Sequence, residues 1–418
     1  MGNEQIRDLP ATTAVPGGSV GGAWAPATVH RLLLARTDRV WILLTGRPVS
    51  LYATSVLRIG YGLLYLVFLL REFPHRYEIW GPDSPWTPAL AAQLFDQTGW
   101  WSFLLLSDSR AYFELCYVLA LLTSALFMLG WRTRATSVLF AAVVVSFHGR
   151  AIFMTDGGDN LLLLMALYLV LTACGRRWSL DARRERIKAA RTDAARTRSL
   201  VAQDLRASRR TLVTVVHNCG VLVIAAQVCV LYGSAGLYKV QGSFWGDGSA
   251  LHYVLNLELF QPWPELSHAM DRYPLAMAVV GYLTVLTQVA FPFVLFGRLK
   301  YPVLTVLLGM HVAIAVVLGL PLFSGTMIVA DAVFLPDRFY TFLPHLLRRS
   351  ARRCDVPARG QVTGLGSVPQ QGGHPDGQED HRPVSRPASG HSGPPQYGPT
   401  AGRQKLRGLV IKKQPPNR

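Results

Sequence analysis

Apolar runs long enough to approach the thickness of a bilayer recur along this chain, and every second link between them is basic. The runs lie at about 52–70, 112–131, 134–149, 158–174, 211–236, 275–297, 301–319 and 321–336. A helix needs about 20 apolar residues to cross a membrane, fewer when flanking side chains snorkel. The basic links hold Arg132 and Arg134, then Arg176, Arg177, Arg183, Arg184, Arg186 and Lys188, then Arg298 and Lys300. Arg31, Arg36, Arg39 and Arg47 precede the first run, and Arg338, Arg348, Arg349, Arg352 and Arg353 follow the last. The alternate loops, near 72–110, 150–157 and 237–274, are mixed or acidic and rich in Trp and Pro. Positive loops stay in the cytoplasm, so the alternation predicts an all-α, polytopic helical bundle of about eight transmembrane helices. It would lie in the cell membrane with both termini cytoplasmic.

Half of the residues are hydrophobic and 16% are charged, yet the net charge is +17. Such a basic chain could bind nucleic acid, but its basic blocks flank the apolar runs and form no separate basic domain. The expected partner is the lipid bilayer and not nucleic acid. Residues 1–50 begin polar and Gly/Pro-containing, without the pattern of a cleavable signal, and His30 to Arg47 reads as an interfacial amphipathic helix. Residues 51–340 form the transmembrane domain, interrupted at 175–210 by a basic cytoplasmic linker that reads as a charged helix. Residues 341–418 read as a disordered basic cytoplasmic tail, being rich in Gly, Pro, Gln and Ser from 354 onward. The five cysteines show no metal-ligand spacing and suggest no disulfide framework, so no metal is expected.

Ionisable residues inside a span are expensive and mark function. Arg58 lies in the first run, His311 in the seventh and Asp331 in the eighth, and Arg58 is a candidate partner for Asp331. Alone on an apolar helix, His311 also fits a hydrogen-bonded packing role. Glu114, His148, Arg150, Asp156, Asp159 and Lys239 would all fall toward the outer face. They could line a pocket there. They could equally tie loops together, Asp156 or Asp159 with Arg150 and Asp247 with Lys239, and Asp156 could cap the fourth helix. Lys239 follows the small residues Gly233, Ser234, Ala235 and Gly236, which permit close helix packing. At the edge of an apolar pocket it can act as a base; at an interface it can snorkel instead.

Four strings carry a family resemblance: Asp-Gly-Gly-Asp-Asn-Leu-Leu (156–162), Trp-Ser-Leu-Asp (178–181), Ala-Gly-Leu-Tyr-Lys (235–239) and Trp-Gly-Asp-Gly-Ser-Ala-Leu-His-Tyr (245–253). With His311, Leu-Phe-Ser-Gly-Thr-Met (322–327) and Phe-Leu-Pro-Asp (334–337), they resemble the HTTM domain. That multi-span domain is shared by vitamin K-dependent gamma-carboxylases and bacterial proteins, SdpB-type members of antimicrobial-peptide systems among them. The resemblance covers roughly 50–340. It implies that Lys239 stands where the carboxylases place the base that deprotonates reduced vitamin K. It also implies an assisting histidine about twenty residues before Trp178, where this chain has Gly158 and Asp159. The large lumenal peptide-binding domain of the carboxylases has no counterpart here.

Three functions follow as expectations. The first is an HTTM-like membrane protein of unassigned activity acting with a secreted or membrane peptide, with Trp245, Pro262 and Trp263 in loop 237–274 as its partner surface. The second is a quinone-linked enzyme using Lys239 as general base. The third is a small-molecule or peptide transporter with a relay through Arg58, His311 and Asp331. The candidate binding residues are Asp156, Asp159, Trp245, Asp247, His252, His311, Arg58 and Asp331.

Overall fold

The computed structural model describes residues 41–342 except Leu43, 192–199 and Phe296. Most of the predicted interfacial helix at 30–47 and nearly all of the predicted tail at 341–418 lie outside the described residues. So does all of the separate unit Pro357–Arg418.

All regular structure among the described residues is helical. The helices of eight residues or more are α1 (Leu51–Arg71), α2 (Pro88–Thr98), α3 (Arg110–Leu129), α4 (Thr133–Arg150), α5 (Gly157–Leu171) and α6 (Leu180–Arg191). They continue with α7 (Leu200–Val240), α8 (Pro264–Asp271), α9 (Pro274–Val294), α10 (Lys300–Val317) and α11 (Pro321–Asp331). Helices α1, α3, α9 and α10, with α7 from Gln203 onward, are five segments long and apolar enough to cross a membrane. Their outward faces carry rows of exposed apolar side chains, such as Leu115, Val118, Leu119 and Leu122 on α3. Lipid contact is the way such rows escape water, and the chain is a multi-pass membrane protein. The other three apolar runs fold as α4, which carries Arg134, His148 and Arg150, and as the shorter apolar helices α5 and α11.

Local chemistry sets the helix ends. Proline occupies the first turn of α2, α8, α9 and α11, where its missing N–H costs nothing. Asp156 and Asp159 form a capping box that opens α5. Gly130 closes α3 at φ 70°.

Helix α7 extends the sequence expectation. The apolar run predicted from 211 follows a segment read as a charged helix, and helix is present there at Leu180–Arg191 and again from Leu200, where it runs on into the apolar run for 41 residues in all. At 1.5 Å per residue it is about 61 Å long, roughly twice a bilayer core. Arg206, Arg209 and Arg210 therefore form the polar extension of a membrane helix. Alanine and arginine are good helix formers, and nothing between Leu200 and Leu212 breaks the backbone ladder.

Arg58 is fully buried on α1, and the pairing with Asp331 that the sequence left open is not made. Its Nε donates to the Cys174 carbonyl (3.3 Å), Nη1 to those of Phe127 (2.7 Å) and Met128, and Nη2 to that of Trp178 (2.7 Å). Carbonyls left over at the C-terminal ends of helices need donors, and one guanidinium supplies them to the ends of both α3 and the α5–α6 link. Trp178 holds a left-handed φ of 43° while its carbonyl faces Arg58. Asp181 completes the joint by accepting from the N–H groups of Arg132 (3.0 Å) and Thr133 (2.7 Å) and from the Thr133 hydroxyl (2.7 Å). The Trp-Ser-Leu-Asp string thus ties together the starts and ends of four helices at one end of the bundle.

Candidate functional site

Lys239, Trp245, His311 and Asp331 gather around α7. Tyr232, Gly236 and Lys239 are spaced i, i+4 and i+7, which places them on one helical face. Gly236 lets that face touch α9. A Cβ there would stand 2.8 Å from Val289 Cγ2, 2.9 Å from Val289 N and 3.1 Å from Gln288 Cβ. Behind this crossing the Tyr232 hydroxyl lies 3.0 Å from His311 Nε2 on α10 and 3.0 Å from Asp331 Oδ2 on α11. His311 is 1% exposed and Asp331 9%. Phe291 packs against the Tyr232 ring at 4.8 Å and closes the far side.

The bonding assigns roles. A carboxylate only accepts, so the Tyr232 O–H points at Asp331 and its oxygen accepts from His311 Nε2–H. That leaves His311 Nδ1 and Asp331 Oδ1 buried with no hydrogen-bond partner among the described residues. Gln288 Oε1 and Ser324 Oγ share this condition. Ser324 and Asp331 are again i and i+7, on one face of α11. Most buried polar atoms in folded proteins are paired, so unpaired atoms on α9, α10 and α11, two of them on the partners of Tyr232, mark a polar seam in an apolar bundle.

Lys239 sits two turns beyond Tyr232, partly buried, and is within electrostatic reach of His311. Its Nζ makes only a long bond to the Ala235 carbonyl (3.4 Å) and lies 5.4 Å from the centre of the Trp245 ring. Asp247 forms no ion pair with it among the described residues, so the loop-tying alternative is not realised at this pair. Asp247 Oδ1 instead accepts from the Ser249 hydroxyl (2.6 Å) and N–H (2.9 Å), and these bonds hold its carboxyl below the usual range. A carboxylate satisfied two residues away by its own turn has no need of a distant lysine.

The remaining candidates scatter. His252 Nδ1 donates to Asp271 at 2.7 Å on an exposed surface, away from the seam. The Asn256 amide first, and then the His252 ring, hold the Asp271 carboxyl below its ordinary value. Asp156 Oδ1 accepts from the N–H groups of Gly158 (2.6 Å) and Asp159 (2.9 Å), and Asp159 Oδ2 accepts from the Asp156 N–H (3.0 Å). Neither pairs with Arg150, whose Nη2 donates to the Gly81 carbonyl and the Ser84 hydroxyl. The capping box uses the carboxylates locally, and the loop 81–84 reaches Arg150 first. Asp156 and Asp159 do line a cavity of about 280 Å³, with Glu72, His148 and Phe323. Arg58 makes its hydrogen bonds at the joint described above, and none links it to His311 or Asp331 among the described residues.

Sequence reasoning missed Tyr232, which joins His311 to Asp331. Its only signal is its register, seven residues before Lys239. It also missed His217, fully buried on α7, which accepts from the Ala173 N–H (3.0 Å) and bonds the Val49 carbonyl (2.8 Å). No ring of His, Cys, Asp or Glu fit to hold a metal occurs among the described residues. Compared with known proteins, the chain matches no family model, no curated sequence and no solved structure.

Proposed function

We propose that this is an HTTM-like integral membrane protein of a bacterial plasma membrane, in which Lys239 acts as a base toward a lipid-soluble acidic hydroxyl, a quinol by class. The reading includes eight spans and cytoplasmic termini, so that Lys239 faces the outer leaflet. The observation that carries it is the shared face of Lys239 and the Tyr232–His311–Asp331 chain. A base needs a lone pair within reach of its substrate and a way to be reset after taking a proton. The Lys239 amine has a single long hydrogen bond and an aromatic neighbour, and Tyr238, Val240 and Phe244 beside it are exposed apolar side chains. A ring that travels in the bilayer would approach from that side, and these residues fit such a group. The hydrogen-bonded trio two turns deeper offers a place to hold the proton. The histidine missing at 158–159 has a functional counterpart in His311, delivered by another helix.

The test is quinol epoxidation by purified protein supplied with reduced menaquinone and oxygen, wild type against Lys239→Ala. Thermal melts should show both proteins folded. Epoxide formed by wild type and lost in the variant supports the reading. No epoxide from folded wild type removes it.

A second reading, with a peptide partner, draws on the segment 241–273. It leaves Phe244, Trp263 and Tyr273 exposed, and Leu259 84% exposed. Apolar patches of this kind suit partner contact. Affinity purification under mild detergent that yields no co-purifying polypeptide would count against it.

A further inference from the structure

Two buried arginines sit at opposite ends of the bundle, and they are used differently. All three nitrogens of Arg58 are bonded to carbonyls. Arg150, the last residue of α4, is 1% exposed and bonds only through Nη2, to the Gly81 carbonyl at 3.1 Å and the Ser84 hydroxyl at 2.8 Å. Its Nη1 is buried with no partner among the described residues, and so is the indole Nε1 of Trp86. Both side chains line one cavity of about 400 Å³ between the 72–86 segment and the end of α4. That volume is in the range of small-ligand sites.

We propose that this cavity binds a small monocarboxylate with an apolar body, its carboxylate accepting from Arg150 Nη1 and Trp86 Nε1. Both idle groups are donors, so the missing partner is an acceptor. A guanidinium taken out of water without a counter-charge is costly, which calls for an anion. Asp108 acts on Arg150 electrostatically but forms no ion pair with it, so the charge stays open to a ligand. Nη2 has spent both of its hydrogens, and the two on Nη1 and the one on the indole are the buried donors left without a partner among the described residues. That set matches the two oxygens of a carboxylate. Glu72 and Glu78 also line the cavity, and they oppose a dianion such as phosphate. Glu72 is held by Arg71 at 2.6 Å, and Glu78 contacts His75 at 3.2 Å. The body of the ligand would meet Ile79, Pro85 and Phe153, with Phe153 set edge-on to Trp86 at 4.8 Å. The site is separate from the Lys239 seam and does not depend on the function proposed for it.

The probe is 4-fluorophenylacetate, followed by fluorine NMR line broadening on the full chain in lipid nanodiscs, with 4-fluorophenylacetamide as its uncharged match. Saturable binding of the acid, with the amide at least tenfold weaker, is expected. Trp86→Phe keeps the ring and removes one donor, and should weaken the acid by about five- to tenfold. Arg150→Gln should abolish binding; should it fail to fold, Trp86→Phe alone decides. Absence of saturable binding to wild type, equal binding of acid and amide, or unchanged binding to Trp86→Phe would each overturn the proposal.

Discussion

Tyr232 donates its hydroxyl to Asp331 across 3.0 Å, although 99 residues separate them in the chain. This bond joins α7 to α11 within the polar seam. Tyr232→Phe removes it and leaves both Asp331 oxygens without a partner, since Oδ1 already has none among the described residues. The expected cost is about 1–3 kcal/mol, the penalty for a stranded buried polar group. Thermal unfolding in detergent measures it. In a double-mutant cycle, Tyr232→Phe should cost less once Asp331 is Asn, giving a coupling of about 1 kcal/mol. Additive effects would mean the bond contributes nothing.

Gly130 is expected to be intolerant of any side chain. Its φ is 70°, and a Cβ would stand 2.5 Å from Ser179 Cβ and 2.7 Å from Arg58 Nη1. Gly130→Ala therefore combines backbone strain with displacement of a buried guanidinium. Gly99 has nearly the same backbone, φ 69°, with nothing within 4 Å of a Cβ. Gly99→Ala should cost about 1 kcal/mol from backbone strain alone, and Gly130→Ala clearly more, by about 2 kcal/mol or above. Paired melts of the two variants separate the terms; equal losses would show that the Arg58 joint yields easily.

Asp181 gives the fold an acid-sensitive joint. Burial pushes its carboxyl up, but the bonds from the Thr133 N–H and hydroxyl and the Arg132 N–H outweigh burial and hold it below the usual range. A carboxyl depressed in the folded state stabilises above its unfolded value, near 3.9, and that stability is lost as pH falls through the folded value. Asp181→Asn should lower the melting temperature at pH 7. The gap to wild type should narrow only below about pH 4. A gap that stays constant into acid would contradict the role given to the carboxylate.

The bundle was legible because bilayer physics writes itself into composition. Five of the apolar runs are helices long and apolar enough to cross a membrane. Asp156 was legible as a cap because Asp at the first position and Asp three residues later is a local pattern, read without knowing the fold. The Arg58 contacts were not, because backbone carbonyls leave no trace in sequence. A buried arginine invites a search for an acid, and the chain met its needs with the end of α3 and the α5–α6 link. Tyr232 stayed hidden for a related reason. Its partners lie 79 and 99 residues away on two other helices, and a tyrosine in an apolar run looks like packing. The idle donors of Arg150 and Trp86 could appear only once neighbouring atoms were in place.

Gly236 decides whether the Lys239 face and the trio act together. A side chain there meets Val289 at its backbone nitrogen, 2.9 Å away, and a backbone cannot rotate aside as a side chain can. Gly236→Val must push α9 away from α7 and draw Gln288 off the seam. Gly233, one turn earlier, is the control, since a Cβ there meets only Pro292 Cγ at an ordinary 3.4 Å. Gly233→Ala should melt close to wild type, within about 0.5 kcal/mol. Gly236→Val should lose about 1–3 kcal/mol, the usual cost of overpacking. It should also lose any Lys239-dependent turnover while the amine itself is untouched. Turnover that survives in a destabilised Gly236→Val protein would mean that Lys239 works without the Tyr232–His311–Asp331 chain behind it.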